Sequence, residues 1–282
     1  MQIFFIVGAQ KSGTTWLQRS LNSMEGVHCL GEGHFIDQLV QPCAEAVRSY
    51  NQTMQLVGER VYGGKGFYDN IPITEFLQVM RDWILVMLLR NVDADPQSIL
   101  AIGDKTPAHS IHIPTLRALF PEARYVHMLR DGRDAAVSAF HHQQRILRQM
   151  GQDNPKAPVD SGALDMFAKW AQCTRAVLKA EKTGVAVHTV RYEEMLIDPA
   201  QCLEACLNHI IPDQHWNPET IQAAVAANSF RRQSGREPGD ADNSEFLRRG
   251  EAGSWRIELA PNTFDQLQPE DRALLEHLGY SN

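Results

Sequence analysis

Short apolar runs alternate with longer amphipathic stretches along most of the chain. Four runs have the length and the branched or aromatic residues of buried strands, and they lie at residues 3–7, 99–103, 124–129 and 185–190. Stretches with helical spacing of apolar residues lie at 14–24, 73–90, 111–120, 131–150 and 163–182. This alternation predicts an α/β fold, in which a parallel sheet is covered by helices on both faces.

Two stretches lack apolar periodicity. Residues 151–162 contain two prolines, and residues 231–255 are rich in charge and glycine. Loops of this length in a compact domain are usually binding loops or lids. No strand-forming pattern follows Val190, which argues against a linker to a second domain. We therefore predict a single domain over residues 1–282, with mobile loops near 151–162 and 231–255.

Composition narrows the class of protein. The chain is 43% hydrophobic and 22% charged, as soluble globular proteins are. A net charge of −7 argues against a nucleic-acid partner, and no apolar run reaches the length of a membrane span. The first residues lack the basic region of a signal peptide. The five cysteines, an odd number without C-x-x-C spacing, favour a reducing, cytoplasmic location.

The first predicted strand runs into the glycine-rich sequence GAQKSGTTW at residues 8–16. Gly8 and Gly13 have the spacing of a phosphate-binding P-loop, but Thr14 takes the place of the usual lysine, and Lys11 lies inside the loop. A strand, a glycine-rich turn and a helix together present backbone N–H groups to an anion. No comparable strand ends in the aspartate that would help to hold Mg²⁺. The loop therefore predicts a P-loop-type fold that binds a 5′-phosphate without a metal.

A second candidate anchor is the sequence HMLRDGRDAAVSAFHH at residues 127–142. Arg130 ends a predicted strand, and Ser138 lies about two turns into the helix that follows. An arginine and a serine placed in this way are able to bind one phosphate together. His141 and His142 point about 100° apart on that helix, so at most one of them faces a pocket.

These two motifs together resemble the sulfotransferase family, whose donor is 3′-phosphoadenosine-5′-phosphosulfate (PAPS) and whose product is 3′-phosphoadenosine-5′-phosphate (PAP). The resemblance implies transfer of a sulfuryl group to an acceptor hydroxyl in line with the leaving phosphate, with Lys11 beside the sulfuryl group. FLRRGEAGSW at residues 246–255 and NSF at 228–230 are similar to nucleotide-binding segments of the cytosolic enzymes. The implied 5′-phosphate ligands are Ser12, Gly13, Thr14 and Thr15, and Lys11 is an implied contact of the donor at its sulfuryl group. The implied 3′-phosphate ligands are Arg130, Ser138, Arg248, Arg249 and Gly250. Further implied nucleotide contacts are Trp16, Tyr192, Ser229 and Phe230.

The general base has two candidates. LGEGHF at residues 30–35 and the stretch at 104–133, which begins DKTPAHS, are similar to tyrosylprotein sulfotransferases and related bacterial enzymes. This resemblance implies Glu32 as the base and Lys105 as its assistant. His109 lies near the place where cytosolic relatives carry a histidine base, and histidine titrates near neutral pH. It follows Pro107 and does not form the K-T-H pattern of those relatives. Glu32 is the preferred candidate, and His109 stays open.

Two other functions remain open at this point. One is a metal-dependent nucleotide kinase or hydrolase, and the other is a nucleotide-binding regulatory module without turnover. The acceptor, a small-molecule or peptide hydroxyl, is not readable from the sequence. Candidate aromatic wall residues slightly favour an aromatic or lipid-like alcohol over a sugar, and they are Phe35, Phe67, Tyr68, Phe140 and Trp170.

Overall fold

The strands pair into one parallel sheet. The computed structural model describes residues 1–152 and 158–280, and its strands are β1 (Gln2–Val7), β2 (Val27–Gly31), β3 (Ala101–Lys105), β4 (Arg124–Leu129) and β5 (Val187–Arg191). The strand order is β2-β3-β1-β4-β5, and each neighbouring pair is parallel. The prediction of a single α/β domain of P-loop type is confirmed.

Helices connect the strands and cover the sheet. The first six are α1 (Thr14–Asn22), α2 (Gln41–Val61), α3 (Ile73–Arg90), α4 (Ile113–Leu119), α5 (Gly132–Gln149) and α6 (Val159–Lys182). The later ones are α7 (Tyr192–Ile197), α8 (Pro199–Ile210), α9 (Pro218–Ala227), α10 (Phe230–Ser234), α11 (Trp255–Glu258) and α12 (Pro269–His277). A π-helical turn at Phe35–Val40 leads into α2, and 3₁₀ turns lie at Pro96–Ser98, Pro107–His112 and Thr263–Gln266. Within residues 1–152 and 158–280, no helix combines the length and apolar character needed to cross a bilayer.

The predicted elements differ from the observed ones at several places. Helices α2, α7, α8, α9 and α12 were not among the predicted helical stretches. β2 went unpredicted, because its five residues include a histidine and a glycine and form no continuous apolar run. The predicted loop at 151–162 is too long, since α6 begins at Val159, and residues 153–157 lie outside the described residues. The segment 231–255 is irregular apart from α10, the first residue of α11 and short turns. The mobility of both segments stays a prediction.

Strand β1 lies at the centre of the sheet and divides the core. Ile3, Phe5 and Val7 point into a cluster formed with α3 and α4. Phe4 and Ile6 point to the other face, where α1, α8 and α9 pack. All five side chains are at most 3% exposed, as expected for a strand covered on both faces. The rigid centre of the sheet therefore carries the loop that follows Val7.

The strand register determines which residues meet at the carboxyl edge of the sheet. Ile6 and Gly31 both pair with Lys105, and Val7 pairs with His127. Leu129 pairs with Arg191 at the next position along the sheet. The residues just after these strand ends therefore lie side by side. The strand order also changes direction around β1, and ligands of α/β proteins bind at such a point.

Candidate active site

The turn after β1 requires glycine at two points. Gly8 has a φ angle of +141° and Gly13 one of +101°. A Cβ atom on Gly8 would lie 2.4 Å from the carbonyl oxygen of Met128, and one on Gly13 would lie 2.7 Å from the ring of Tyr192. Ser110 Oγ accepts a hydrogen bond from the Gly8 N–H at 2.8 Å. The turn is thus held against its neighbours, and the first N–H groups of α1 remain available to an anion.

Lys11 lies inside this turn in the left-handed region, with a φ angle of 67°. Its Nζ donates to the carbonyl of Phe246 at 3.0 Å and lies 4.0 Å from the centre of the Phe246 ring. Burial, together with the charges of Arg130 and Arg145, lowers the pKa of Lys11 to about 7. A lysine pKa falls when cations surround the amine without a compensating anion. This part of the protein therefore favours an anionic ligand, although the chain as a whole is acidic.

Arg130 follows β4 and connects three parts of the site. Its guanidinium donates to the carbonyls of Lys11 at 3.2 Å and Glu251 at 2.8 Å, and lies 4.2 Å from the centre of the Tyr192 ring. Ser138 lies on α5 and is buried, as Arg130 is. Both side chains line the same cavity, which brings together the arginine and the serine of the second motif.

Arg248 reaches the same cavity from the late segment, residues 228–258. Its two terminal nitrogens donate to the carboxylate of Glu258, each at 2.8 Å. Glu258 also hydrogen-bonds to His141 Nε2 at 2.9 Å. Burial alone would raise the pKa of Glu258, but the hydrogen bonds from His141 and Arg248 lower it to about 2. Arg248 is therefore held in place by a carboxylate that stays ionised.

The residues next to Arg248 also contact other residues of the late segment. Arg249 forms an ion pair with Glu251. Gly250 has a φ angle of +70°, and a Cβ atom there would lie 2.4 Å from the ring of Phe230. Phe230 begins α10, and Ser229 accepts a hydrogen bond from a backbone N–H of that helix. The predicted nucleotide contacts of the late segment thus lie against one another at one wall of the cavity.

The cavity itself has a volume of about 530 Å³. It is lined by nearly all of the predicted site residues, with Trp16 and Tyr192 in edge-to-face contact at 5.9 Å between ring centres. The two exceptions are Ser12 and His109. Ser12 lies fully buried within the turn beneath the cavity, and its Oγ has no hydrogen-bond partner among the described residues.

Other polar atoms around this cavity also lack partners. In the described part of the chain, the buried nitrogens without a hydrogen bond include Trp16 Nε1, Arg130 Nε, Arg145 Nε and Arg248 Nε. A buried donor without a partner costs about 1–3 kcal/mol. Such a group of donors around one cavity indicates a ligand that supplies several acceptor oxygens or nitrogens.

Glu32 and Lys105 meet at one end of the cavity. The Glu32 N–H donates to the carbonyl of Lys105 at 3.0 Å, and the two side chains form an ion pair. Lys105 is buried, whereas the Glu32 side chain is half exposed and faces the cavity. Glu32 has a φ angle of 57°, and the described non-glycine residues with positive φ are Lys11, Glu32 and His34. Backbone strain of this kind is typical of functional sites.

His109 lies away from the cavity. It is fully buried between the rings of Phe5 and Phe35, and its Nε2 lies 3.2 Å from Asp104 Oδ1. Asp104 also accepts hydrogen bonds from Thr106 at 2.6 Å and from the N–H of Gly33 at 3.2 Å. Glu32 and Lys105 therefore line the cavity, whereas His109 does not. The role of each residue stays a prediction.

A second, smaller cavity of about 300 Å³ adjoins the first. Both cavities are lined by Gln10, Glu32 and Pro107, so Glu32 lies at their junction. The remaining lining is mostly apolar and comprises Ala9, Ala108, Ala135, Ala139, Met166, Trp170 and Cys173, with His34 and Lys169 as polar members.

Of the aromatic residues predicted to form an acceptor wall, Trp170 lines the smaller cavity. Phe35 and Phe140 are buried in the core, at 4% and 6% exposure. Phe67 and Tyr68 are 85% and 71% exposed, and neither lines a cavity described here. The prediction is therefore wrong for most of the wall, because aromatic composition alone does not distinguish core, surface and pocket.

Helix α5 contributes two further residues to the larger cavity. Of its two adjacent histidines, His142 lines the cavity, and so does Arg145, which was not predicted from the sequence. His142 and Arg145 follow Ser138 by four and seven residues, so all three side chains lie on one face of α5. This spacing is the sequence signal that could have identified Arg145. Arg145 donates to His142 Nδ1 at 3.2 Å. Burial, followed by the charges of Lys11 and Arg145, lowers the pKa of His142 to about 4.

The chain belongs to the sulfotransferase family. The model of this family matches residues 3–216, which is most of the chain and contains every strand of the sheet. The late segment with Arg248, Arg249 and Gly250 lies beyond the matched residues. Its assignment to the nucleotide site therefore depends on the fact that these residues line the larger cavity.

Two relatives are identical to this chain at about a quarter of the aligned residues or fewer. The chain is 24% identical over 228 residues to protein-tyrosine sulfotransferase 1 of Danio rerio, covering 78% of this chain and 56% of the relative. It is 21% identical over 210 residues to a putative protein-tyrosine sulfotransferase of Caenorhabditis briggsae, covering 74% of this chain and 65% of the relative. The chain thus matches less than two thirds of the length of each.

Solved structures confirm the fold. A mouse sulfotransferase, SULT7A1, complexed with PAP aligns with a TM-score of 0.56 at 16% identity, covering 98% of this chain and 89% of that one. The sulfotransferase domain from the curacin biosynthetic pathway aligns with a TM-score of 0.56 at 16% identity, covering 99% and 98%. Retinol dehydratase in complex with androsterone and PAP aligns at 0.52 and 17% identity, covering 98% and 81%.

Proposed function

We propose that this protein transfers a sulfuryl group from PAPS to an acceptor hydroxyl. The main support is one cavity lined by cationic and N–H donors from the strand edge and from the late segment, together with the Glu32–Lys105 ion pair. Lys11, Arg130, Ser138 and Arg248 all line this cavity. PAPS carries many anionic oxygens on its 5′-phosphosulfate and its 3′-phosphate, which suits a cavity with several such donors. Relatives of the same fold bind PAP.

The proposed donor contacts follow from this arrangement. The P-loop turn of Lys11 to Thr15 would hold the 5′-phosphosulfate, with the N-terminus of α1 adding its dipole. Arg130, Ser138 and the stretch from Arg248 to Gly250 would hold the 3′-phosphate, and Trp16 would stack on the adenine ring. The donor supplies an activated sulfuryl group, and no metal ligand is required by this assignment.

The proton transfer is assigned to Glu32. An acceptor O–H is a weak nucleophile until a base takes its proton. We assign that proton to the Glu32 carboxylate as the acceptor oxygen forms its bond to sulfur. The bond between sulfur and the 5′-phosphate oxygen breaks at the same time, and the ammonium of Lys11 neutralises the charge that the phosphate oxygen gains. Lys105 holds Glu32 in position through their ion pair.

The smaller cavity is the proposed acceptor site. Glu32 lines it together with alanines, Met166 and Trp170, so an acceptor there would present its hydroxyl to the base. The apolar lining and the volume of about 300 Å³ favour a compact aromatic or alkyl alcohol, or a tyrosine side chain, over a sugar. The relative from Danio rerio is named a protein-tyrosine sulfotransferase, which is consistent with a phenolic acceptor. A cytoplasmic location stays a prediction.

Calorimetric titration tests the donor assignment. PAP, ADP and ATP–Mg²⁺ are titrated separately into the protein. PAP is expected to bind at least about tenfold more tightly than ADP, because only PAP presents a 3′-phosphate to Arg130 and Ser138. Arg130→Ala serves as the control and should remove this preference. Tighter binding of ATP–Mg²⁺ than of PAP would favour a nucleotide kinase or hydrolase.

Turnover separates an enzyme from a binding module. Sulfur-35-labelled PAPS is incubated with a panel of phenols, alkyl alcohols, sugars and tyrosine peptides, and transfer of label is measured. Transfer to phenols or alkyl alcohols is expected, and Ala139→Leu should reduce it without weakening PAP binding, since Ala139 lines only the smaller cavity. Tight PAP binding without transfer to any class of acceptor would favour a regulatory module.

A further inference from the structure

Helix α3 has an apolar surface that the rest of the chain leaves exposed. Phe76, Met80, Ile84 and Leu88 of this helix are buried in the core. On another face, Val79, Trp83 and Val86 are 58%, 47% and 57% exposed. A helix that is apolar on most of its surface is usually covered on most of its surface. Clustered exposed apolar residues of this kind mark interaction sites.

Charged residues extend this exposed face at both ends. Glu75 lies in the first turn of α3 and Arg90 in the last, and both are exposed. At about 100° per residue, Glu75, Val79, Trp83, Val86 and Arg90 all fall within an arc of roughly 80°. In the part of the chain that the structure describes, neither Glu75 nor Arg90 forms an ion pair. The five residues are called the α3 stripe below.

The α3 stripe is symmetric about its midpoint, which lies between Asp82 and Trp83. Val79 and Val86 are equally far from this point, and so are Glu75 and Arg90. Two copies of α3 that pack antiparallel across a two-fold axis would therefore place Val79 opposite Val86. The same arrangement places Glu75 of each copy opposite Arg90 of the other, so both ends pair opposite charges. Two-fold interfaces require this kind of self-complementarity.

We propose that the α3 stripe is a homodimer interface, in which two copies of this chain pack α3 against α3 in antiparallel orientation. Trp83 lies next to the axis and supplies the central aromatic contact that such interfaces favour. The two Glu75–Arg90 pairs fix the register of the helices. An antiparallel packing also aligns the two helix dipoles favourably, because each N-terminus then lies near a C-terminus.

Sedimentation velocity over a range of protein concentrations tests this proposal. The wild-type protein is expected to form dimers, and Trp83→Glu should be monomeric over the same range. Ile197→Glu is the matched control, because Ile197 is 85% exposed but lies on α7, away from the stripe. Circular dichroism confirms that each variant is folded. A monomeric wild-type protein, or dimers that survive Trp83→Glu, would overturn the proposal.

A charge exchange tests the antiparallel register. Glu75→Arg and Arg90→Glu each place like charges opposite one another in a homodimer, and each should weaken dimerisation by at least about tenfold. A mixture of the two variants should form heterodimers as well as the wild type forms dimers, because the introduced arginine of one variant then faces the introduced glutamate of the other. Small losses of helix stability from altered end charges would not be repaired by mixing. Failure of the mixture to associate would rule out the antiparallel pairing.

Discussion

The two halves of the candidate active site are built in different ways. At the strand edge, Lys11 and Arg130 follow buried parallel strands and make their hydrogen bonds to backbone carbonyls, without a carboxylate partner among residues 1–152 and 158–280. In the late segment, Arg248 and Arg249 are each paired with a glutamate. The strand edge therefore holds uncompensated positive charge, whereas the charge of the late segment is largely balanced within the protein.

This difference predicts different contributions to ligand binding. An anion near Lys11 relieves repulsion among cations, which the lowered pKa of Lys11 reflects. An anion near Arg248 has to share the guanidinium with Glu258. We therefore expect the strand edge to supply most of the binding energy and chemistry. The late segment should mainly enclose the nucleotide, and residues 231–255 should be protected from proteolysis when PAP binds.

The largest expected effect is that of Lys11→Ala. If Lys11 neutralises the departing phosphate, its loss should lower turnover by roughly 10²–10³, the effect of losing one transition-state donor. PAP affinity should fall much less. Steady-state kinetics and calorimetry measure the two quantities, with Lys11→Arg as a variant that keeps the charge. Near-normal turnover of the alanine variant would contradict this role.

Glu32→Gln should lower turnover by at least about 10², because the amide keeps the shape and removes the base. PAP affinity should stay unchanged. The matched variant is His109→Gln, which alters a buried residue outside the cavity and should reduce turnover far less. An inactive His109 variant with an active Glu32 variant would reverse the assignment of the base.

Residues next to predicted strands were the easiest to identify from the sequence. The glycine-rich turn and Arg130 adjoin strands with clear apolar patterns, and parallel strands bring their carboxyl ends together. Glu32 was identified by resemblance alone, since the short strand β2 before it gave no clear pattern. The partners of Arg248 and Arg249 were not predictable, because Glu251 and Glu258 meet them only through the path of an irregular segment. The acceptor wall failed for a different reason, because aromatic residues alone do not distinguish core, surface and pocket.

Arg130 and Arg248 allow a direct comparison of the two halves. Arg130→Ala should weaken PAP binding by roughly 1.5–3 kcal/mol, as expected for a charged hydrogen bond. Arg248→Ala should weaken it by less, because the Arg248 guanidinium already donates to the carboxylate of Glu258. Calorimetry with PAP and with ADP measures both, and neither variant should change ADP binding appreciably. Equal losses for the two arginines would remove the distinction between the halves.

The free energy of unfolding provides a control for the comparison of Arg130 with Arg248. Arg248→Ala leaves the carboxylate of Glu258 with His141 and a 4.0 Å ion pair to Arg249, so the free energy of unfolding should decrease. Adding Glu258→Gln should recover part of this loss, because the variant no longer contains the unpaired charge. Arg130→Ala, which breaks no ion pair, should not respond to Glu258→Gln. Thermal unfolding of the single and double variants measures these differences.

A pH dependence of PAP binding is expected to originate at Lys11. In the free protein the pKa of Lys11 is about 7, and a bound anion raises it. Below pH 7 the amine is already protonated, so this group adds no pH dependence. Above pH 7 each binding event takes up a proton, and affinity should fall by up to about tenfold per pH unit. Calorimetry at pH 8 in buffers of different ionisation enthalpy measures the uptake. Lys11→Arg, which stays charged, should abolish the proton uptake of Lys11. Both proteins bind the same ligand, so proton uptake by the ligand's own phosphates cancels when the two measured uptakes are subtracted. Equal proton uptake by both proteins would show that Lys11 does not face the bound anion.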